Sequence, residues 1–222
     1  MKAASWLGLG LLIGFICAAA QADPATITFS LDFPHSDPDR YSISVDSDGR
    51  AKYECSAKIS EDSDEREPYR VEFHFSPGNR TRIFALAEQA HYFGGNIDSG
   101  NPKIAFTGAK KLTYRSAGRT TSAEYNYSGS VPVQELTDLF QRVSATMEFG
   151  RRLFYYHRFQ KLALDEQLKR MESQARDNQL AEIQAVEPTL REIFEDSSVM
   201  NFVRARAQRL IEMGKKEDVT AH

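Results

Sequence analysis

Imidazole and carboxylate side chains can hold a metal ion or move a proton. In this chain they are densest at Asp32, His35, Asp37 and Asp39, a cluster interrupted by Pro34 and Pro38. Two prolines stiffen such a segment and would keep ligands at fixed separation, which makes these four residues the candidate metal ligands. A solvated turn uses the same composition. His74, His91 and His157, together with His35 and Asp37, are the groups from which a hydrolase or metal-dependent site could be assembled across the fold.

The remaining motifs lead away from common enzyme chemistries. Asp46-Ser-Asp48-Gly49 resembles the start of a calcium loop but lacks the third ligand position and the closing glutamate, and Asp-Gly between two alternating runs signals a hairpin turn. Gly95-Asn-Ile-Asp-Ser-Gly100 has phosphate-loop spacing, yet Asn101 stands where a lysine would reach the phosphates, so it reads as a plain loop. Gly-x-Ser-x-Gly, His-Glu-x-x-His and Cys-x-x-Cys do not occur. No cofactor is implied. Arg151-Arg-Leu-Phe-Tyr-Tyr-His-Arg158 mixes base and ring as single-stranded nucleic acid demands, but it lies inside a long helix, where the rings suit a helix interface and the arginines its rim.

The chain opens as a secretory signal: Met1-Lys2, an apolar run from Trp6 to Ala20, and Ala20-Gln21-Ala22 as a cleavage site. That run is shorter than the roughly 20 residues a bilayer span needs. No twin arginine precedes it, so residues 1–22 are expected to direct export by the general secretion route to the periplasm or the outside. Cleavage removes Cys17 and leaves Cys55 alone, so no internal disulfide is expected. Cys55 shares a strand face with Tyr53 and Ala57 and reads as a buried thiol. A formal charge of −3 across 222 residues removes whole-molecule attraction to nucleic acid or anionic lipid. Charge is uneven: residues 23–70 carry 6 basic and 12 acidic groups, residues 71–130 carry 7 and 4.

Residues 23–130 and 131–214 differ in pattern. Period-2 alternation predicts strands at 26–33, 41–45, 51–55, 69–75, 111–115 and 120–127, with an exposed acidic loop over Glu61–Glu67. Ser76-Pro77 predicts the start of a helix that stops near Gly94-Gly95. From Ser130-Val-Pro132 the period becomes helical. Leu136, Leu139, Phe140, Val143, Met147, Gly150, Leu153, Phe154 and His157 form one stripe, and Phe149, Tyr156 and Phe159 a second, so this helix should be packed on two sides. Further helices are expected at 166–176 capped by Asp165, at 179–194 with a kink at Pro188, and at 198–213, followed by a frayed tail over 215–222.

At Phe106-Thr-Gly-Ala-Lys-Lys-Leu-Thr-Tyr114, Arg151-Arg-Leu-Phe-Tyr-Tyr-His-Arg158, Leu164-Asp-Glu-Gln-Leu-Lys-Arg170 and Arg204-Ala-Arg-Ala207, the chain resembles uncharacterised exported bacterial proteins of unknown function over most of its mature length. The first half also resembles small bacterial domains of unknown function with Tyr-x-Ile-x-Val, then Gly and Tyr, on a leading hairpin before a helix. Neither likeness implies a catalytic residue.

The expected fold class is α+β, an antiparallel sheet with one covering helix followed by a C-terminal helical bundle docked on it. The expected role is a non-catalytic binding or structural module in the bacterial envelope or outside the cell. Its partner would be another envelope or secreted protein, with no nucleic acid and no stable membrane span after signal cleavage. The alternatives are the assembled hydrolase or metal-dependent enzyme, and an inhibitor or sensor module presenting its sheet face or the loop 94–104.

Overall fold

The structure, a computed structural model, describes residues 24–58 and 65–220, with side chains through Lys216. The expected signal segment, Cys17 and the acidic run at 61–64 lie outside the described residues. The fold is α+β.

Alternating side chains place apolar residues on one face of each strand. Six strands result: β1 (Thr26–Asp32), β2 (Arg40–Asp46), β3 (Arg50–Lys58), β4 (Arg66–His74), β5 (Ala109–Ser116) and β6 (Arg119–Tyr125). They form one antiparallel sheet in the order β4-β3-β2-β1-β5-β6. Gly49, at φ +96°, closes the β2–β3 hairpin by donating its N–H to the Asp46 carbonyl. β4 runs from Arg66, so Glu67, expected in a loop, is in the sheet.

The inner face carries Ile27, Phe29, Ile43, Val45, Tyr53 and Leu112, all buried. Against it lies α2 (Val131–Phe159), 29 residues and therefore about 44 Å long at about 1.5 Å per residue. Phe140 stacks on Phe29 with ring centroids 5.4 Å apart, and Phe75 meets Phe140 edge-on. α1 (Pro77–Gln89) packs beside α2, while α3 (Leu164–Arg176) and α4 (Glu187–Glu195) pack on another side of it, as its two apolar stripes require. α5 (Asn201–Thr220) completes the helical layer against α3 and α4. The outer face is polar: one cross-strand row reads Glu72, Lys52, Ser44, Thr28, Thr113, Ser122.

Ser76 caps α1 as expected, accepting the Asn79 N–H. The helix ends at Gln89, before the glycines, because His91, Tyr92 and Phe93 adopt left-handed backbone and bury Phe93 in a 3-10 turn. At α2, Ser130 is the first flanking residue but makes no side-chain cap. Asp165 lies in the first turn of α3 instead of capping it, and pairs there with Arg206. The helix expected at 179–194 is interrupted by Glu182 at φ +60° and a 3-10 turn over 183–186, so Pro188 opens α4, where its missing N–H costs nothing. The last helix continues through Gly214, which lies against the backbone of Gln184. Gly150 allows a close approach in α2 as well, to a side chain: a Cβ there would stand 2.5 Å from Val186 Cγ1.

Candidate functional site

The acidic and imidazole groups between residues 32 and 39 diverge. Asp32 faces Arg40 at 3.1 Å, Asp39 faces Arg66 at 2.9 Å, and Asp37 reaches Arg152 at 3.2 Å and the Lys58 N–H at 3.1 Å. His35 is exposed in left-handed backbone. Each carboxylate therefore answers a different arginine. Among the described residues no three His, Cys, Asp or Glu side chains group as a metal site.

The other histidines are spread over the molecule: His74 at the end of β4, His91 in the turn after α1, His157 on α2. His157 Nε2 lies 2.9 Å from Asp196 Oδ2. Asp196 also accepts Lys161 Nζ at 2.6 Å and the Ser198 hydroxyl at 2.7 Å, and these bonds hold its carboxyl well below the usual range. Ser198 thus serves the aspartate, whereas a serine nucleophile would hydrogen-bond to the imidazole. The cluster ties α2 to the α4–α5 connection.

Where Tyr53 and Cys55 of β3 point inward, α2 presents Ser144, Glu148 and Arg151 at helical spacing. The Tyr53 hydroxyl donates to Glu148 Oε1 at 2.9 Å and lies 3.3 Å from Ser144 Oγ; the Cys55 thiol donates to the same Oε1 at 3.3 Å. Arg151 donates through Nε and Nη2 to Glu148 Oε2, at 3.0 and 2.8 Å, and through Nη1 to the Lys58 carbonyl at 2.6 Å. Burial, reinforced by the Glu148 charge, pushes the Cys55 thiol up to about 12 and raises Tyr53 well above its ordinary value. A thiol held protonated is a poor nucleophile, so Cys55 is a structural donor.

Next to this network a cleft of about 200 Å³ opens under the sheet edge. Its sheet wall is Ala57, Glu67, Pro68 and Tyr69; its helix wall is Arg151, Phe154, Tyr155 and Phe159. The register explains the first wall, since Tyr69 and Glu67 stand opposite Cys55 and Ala57 on the inward face. Tyr155 and Phe159 lie 5.1 Å apart, and the Arg158 guanidinium sits 4.4 Å from the Phe154 ring centre. Phe159 is 68% exposed and Leu162, three residues on, 87%. The second apolar stripe of α2 therefore breaks down at its end: Phe149 and Tyr156 are buried, but Phe159 faces solvent, as does Phe154 from the first stripe.

Other hollows offer less. Two on the outer sheet face, about 360 and 650 Å³, share Asp46 and Arg50 and are walled mainly by hydroxyl and charged groups. A third, about 430 Å³, includes Lys110, whose Nζ already has four oxygen neighbours: the Thr107, Gly108 and Asn126 carbonyls and Thr107 Oγ1. An ammonium has three N–H donors, so this amine is saturated; burial lowers its pKa. The Gly95–Gly100 stretch is a loop, and its Asp98 accepts the Gly100 and Asn126 N–H groups, a carboxylate where a phosphate would need a cation.

Sequence reasoning singled out Cys55 and the 151–158 segment but missed Glu148. The signal was the Ser144-Glu148-Arg151 line beside the apolar stripe of α2, since polar groups on a buried line need one another. Among the described residues no helix is long and apolar enough to cross a membrane. The chain matches no protein-family model and no curated protein sequence.

Proposed function

We propose that this chain is a non-catalytic binding module, exported to the bacterial envelope or beyond it, that holds a partner protein at the end of α2. The observation that supports this reading is the aromatic cleft under β4, with Phe154 and Phe159 left in contact with water. Exposed apolar area costs about 25 cal/mol per Å², which a partner's surface would recover. Aromatic and arginine side chains around a small cavity are also the groups on which protein contacts concentrate their binding energy. The signal-like residues 1–22 are the basis for the location.

The test is affinity capture from envelope and culture-fluid extracts of the native host, with residues 23–222 and with the Phe154→Ser/Phe159→Ser variant as bait. The expected result is a protein enriched by the native chain and lost with the variant. Equal recovery by both baits would remove the cleft as the contact surface.

A further inference from the structure

The sheet has two edges, β4 and β6. The 91–99 segment lies against β6, where the Thr121 hydroxyl donates to the Tyr92 carbonyl and the Asn126 N–H to Asp98. β4 packs mainly on β3, and among the described residues no strand lies beyond it. The ladder fixes where its backbone groups point. Phe75, the residue after β4's His74, donates its N–H to the Gly49 carbonyl at 3.0 Å, in register with the β3–β4 pairs. Along an antiparallel strand such groups alternate between the two sides. Phe73, Val71 and Tyr69 therefore turn their N–H and C=O to β3, and His74, Glu72 and Arg70 turn theirs outward. Pro68 belongs to the outward set, where its missing N–H leaves no gap in the β3–β4 ladder.

We propose that this edge pairs with the same edge of a second copy of the chain, antiparallel and two-fold symmetric about Val71, joining two sheets into one. Arg70 of each copy then stands opposite Glu72 of the other, and the two exchange N–H···O=C bonds. Charge complementarity selects this register. On the outer face Lys52 stands opposite Glu72 and Glu54 opposite Arg70 within one copy. The joined row therefore reads Lys52, Glu72, then Arg70 and Glu54 of the second copy, alternating in sign throughout. Sliding the strands by two residues either way would set Arg70 against Arg70 or Glu72 against Glu72. Arg70 and Glu72 already meet at 2.7 Å within the strand, with side chains 58% and 70% exposed, so the second copy completes a four-charge cluster. On the inner face the same register sets Val71 against Val71 and Tyr69 against Phe73. Tyr69 and Val71 are half-buried at the rim of the core in a single copy, and pairing covers them.

Analytical ultracentrifugation of the purified protein tests the contact. The native chain should sediment as a dimer by about 100 μM. Arg70→Glu and Glu72→Arg, exposed changes each checked for an unaltered urea midpoint, place like charges across the two-fold and should each weaken dimerisation by about tenfold or more. Mixed in equal amounts, the two variants should form a dimer again, because one brings two acids to the join and the other two bases. In the native chain, the Arg70 and Glu72 amides should gain hydrogen-exchange protection as concentration rises, a readout that needs no variant. A monomer at every concentration to about 1 mM overturns the proposal. So does a dimer that either variant leaves intact, a mixture no more dimeric than its components, or exchange at those two amides that ignores concentration. The contact rests on the strand edge and not on the α2 cleft, so it stands or falls separately from capture through Phe154 and Phe159.

Discussion

Glu148 and Glu172 are buried to similar depth, with side chains 7% and 2% exposed, one under the sheet and the other between α3 and α5. Their partners differ. Glu172 accepts from Arg176 at 2.5 Å, Arg206 at 2.6 Å and Arg209 at 2.8 Å, three guanidiniums that keep part of their surface in water. Glu148 has one guanidinium, itself buried, and completes its shell with a phenol and a thiol. A carboxylate surrounded by partly solvated cations is a staple whose partners can turn to water if it is lost. One matched to a single buried cation is a mutual dependence.

Removing each carboxylate tests that difference. Glu148→Ala strands Arg151 without a counter-charge and should cost about 3–5 kcal/mol. Glu172→Ala leaves arginines that can rehydrate and should cost about 2 kcal/mol. Urea denaturation of both variants measures the gap, and a larger loss at Glu172 would reverse the comparison.

Acid titration sharpens it. Its hydrogen bonds from Arg209 and Arg206 outweigh burial and hold the Glu172 carboxyl at about 2, below its usual 4.5. A folded value below the unfolded one means stability that is present above about 4.5 and lost as pH falls through about 2. The urea midpoints of the native chain and Glu172→Gln should therefore converge between pH 4.5 and 2. A gap unchanged across that window would mean that Glu172 acts by packing alone.

The smallest effect is expected from Tyr53→Phe, which removes one donor from Glu148 and should cost about 1–2 kcal/mol. Thermal unfolding measures it, and a stability-neutral result would leave Arg151 and Cys55 as the partners that matter to Glu148.

Period-2 alternation made the sheet legible, because a strand with one buried face must write its burial into every second residue. Tyr53, Cys55 and Ala57 were placed on a common inward face this way, and Asp46–Gly49 and Ser76-Pro77 marked a turn and a helix start through purely local chemistry. Helix ends were less legible. Nothing near Ala90 announces that three successive residues will go left-handed, since that conformation is held from a distance, by burial of Phe93 and by Thr121 donating to the Tyr92 carbonyl. Glu182 is a similar case. Its buried carboxylate accepts the Ser76 N–H and hydroxyl at 2.8 Å each and Asn79 Nδ2 at 2.6 Å, capping α1 from 106 residues away, and its own helix breaks to make this possible.

What the sequence determined by itself is whatever depends on neighbours in the chain: the α+β division, the strand faces, the two-sided apolar character of α2 and the inward thiol of Cys55. Tertiary structure decided which distant charges meet. Glu148–Arg151 and Glu172–Arg176 are spaced three and four residues apart on one helix, but nothing local to Asp37, Glu172 or Glu182 encodes that Arg152, that Arg206 and Arg209, or that the start of α1 will lie across from it. The same holds for the cleft. Phe159 follows the apolar rhythm of its helix, and only the docking of α2 beneath β3 and β4 shows that the sheet ends before the helix does, leaving its last rings uncovered.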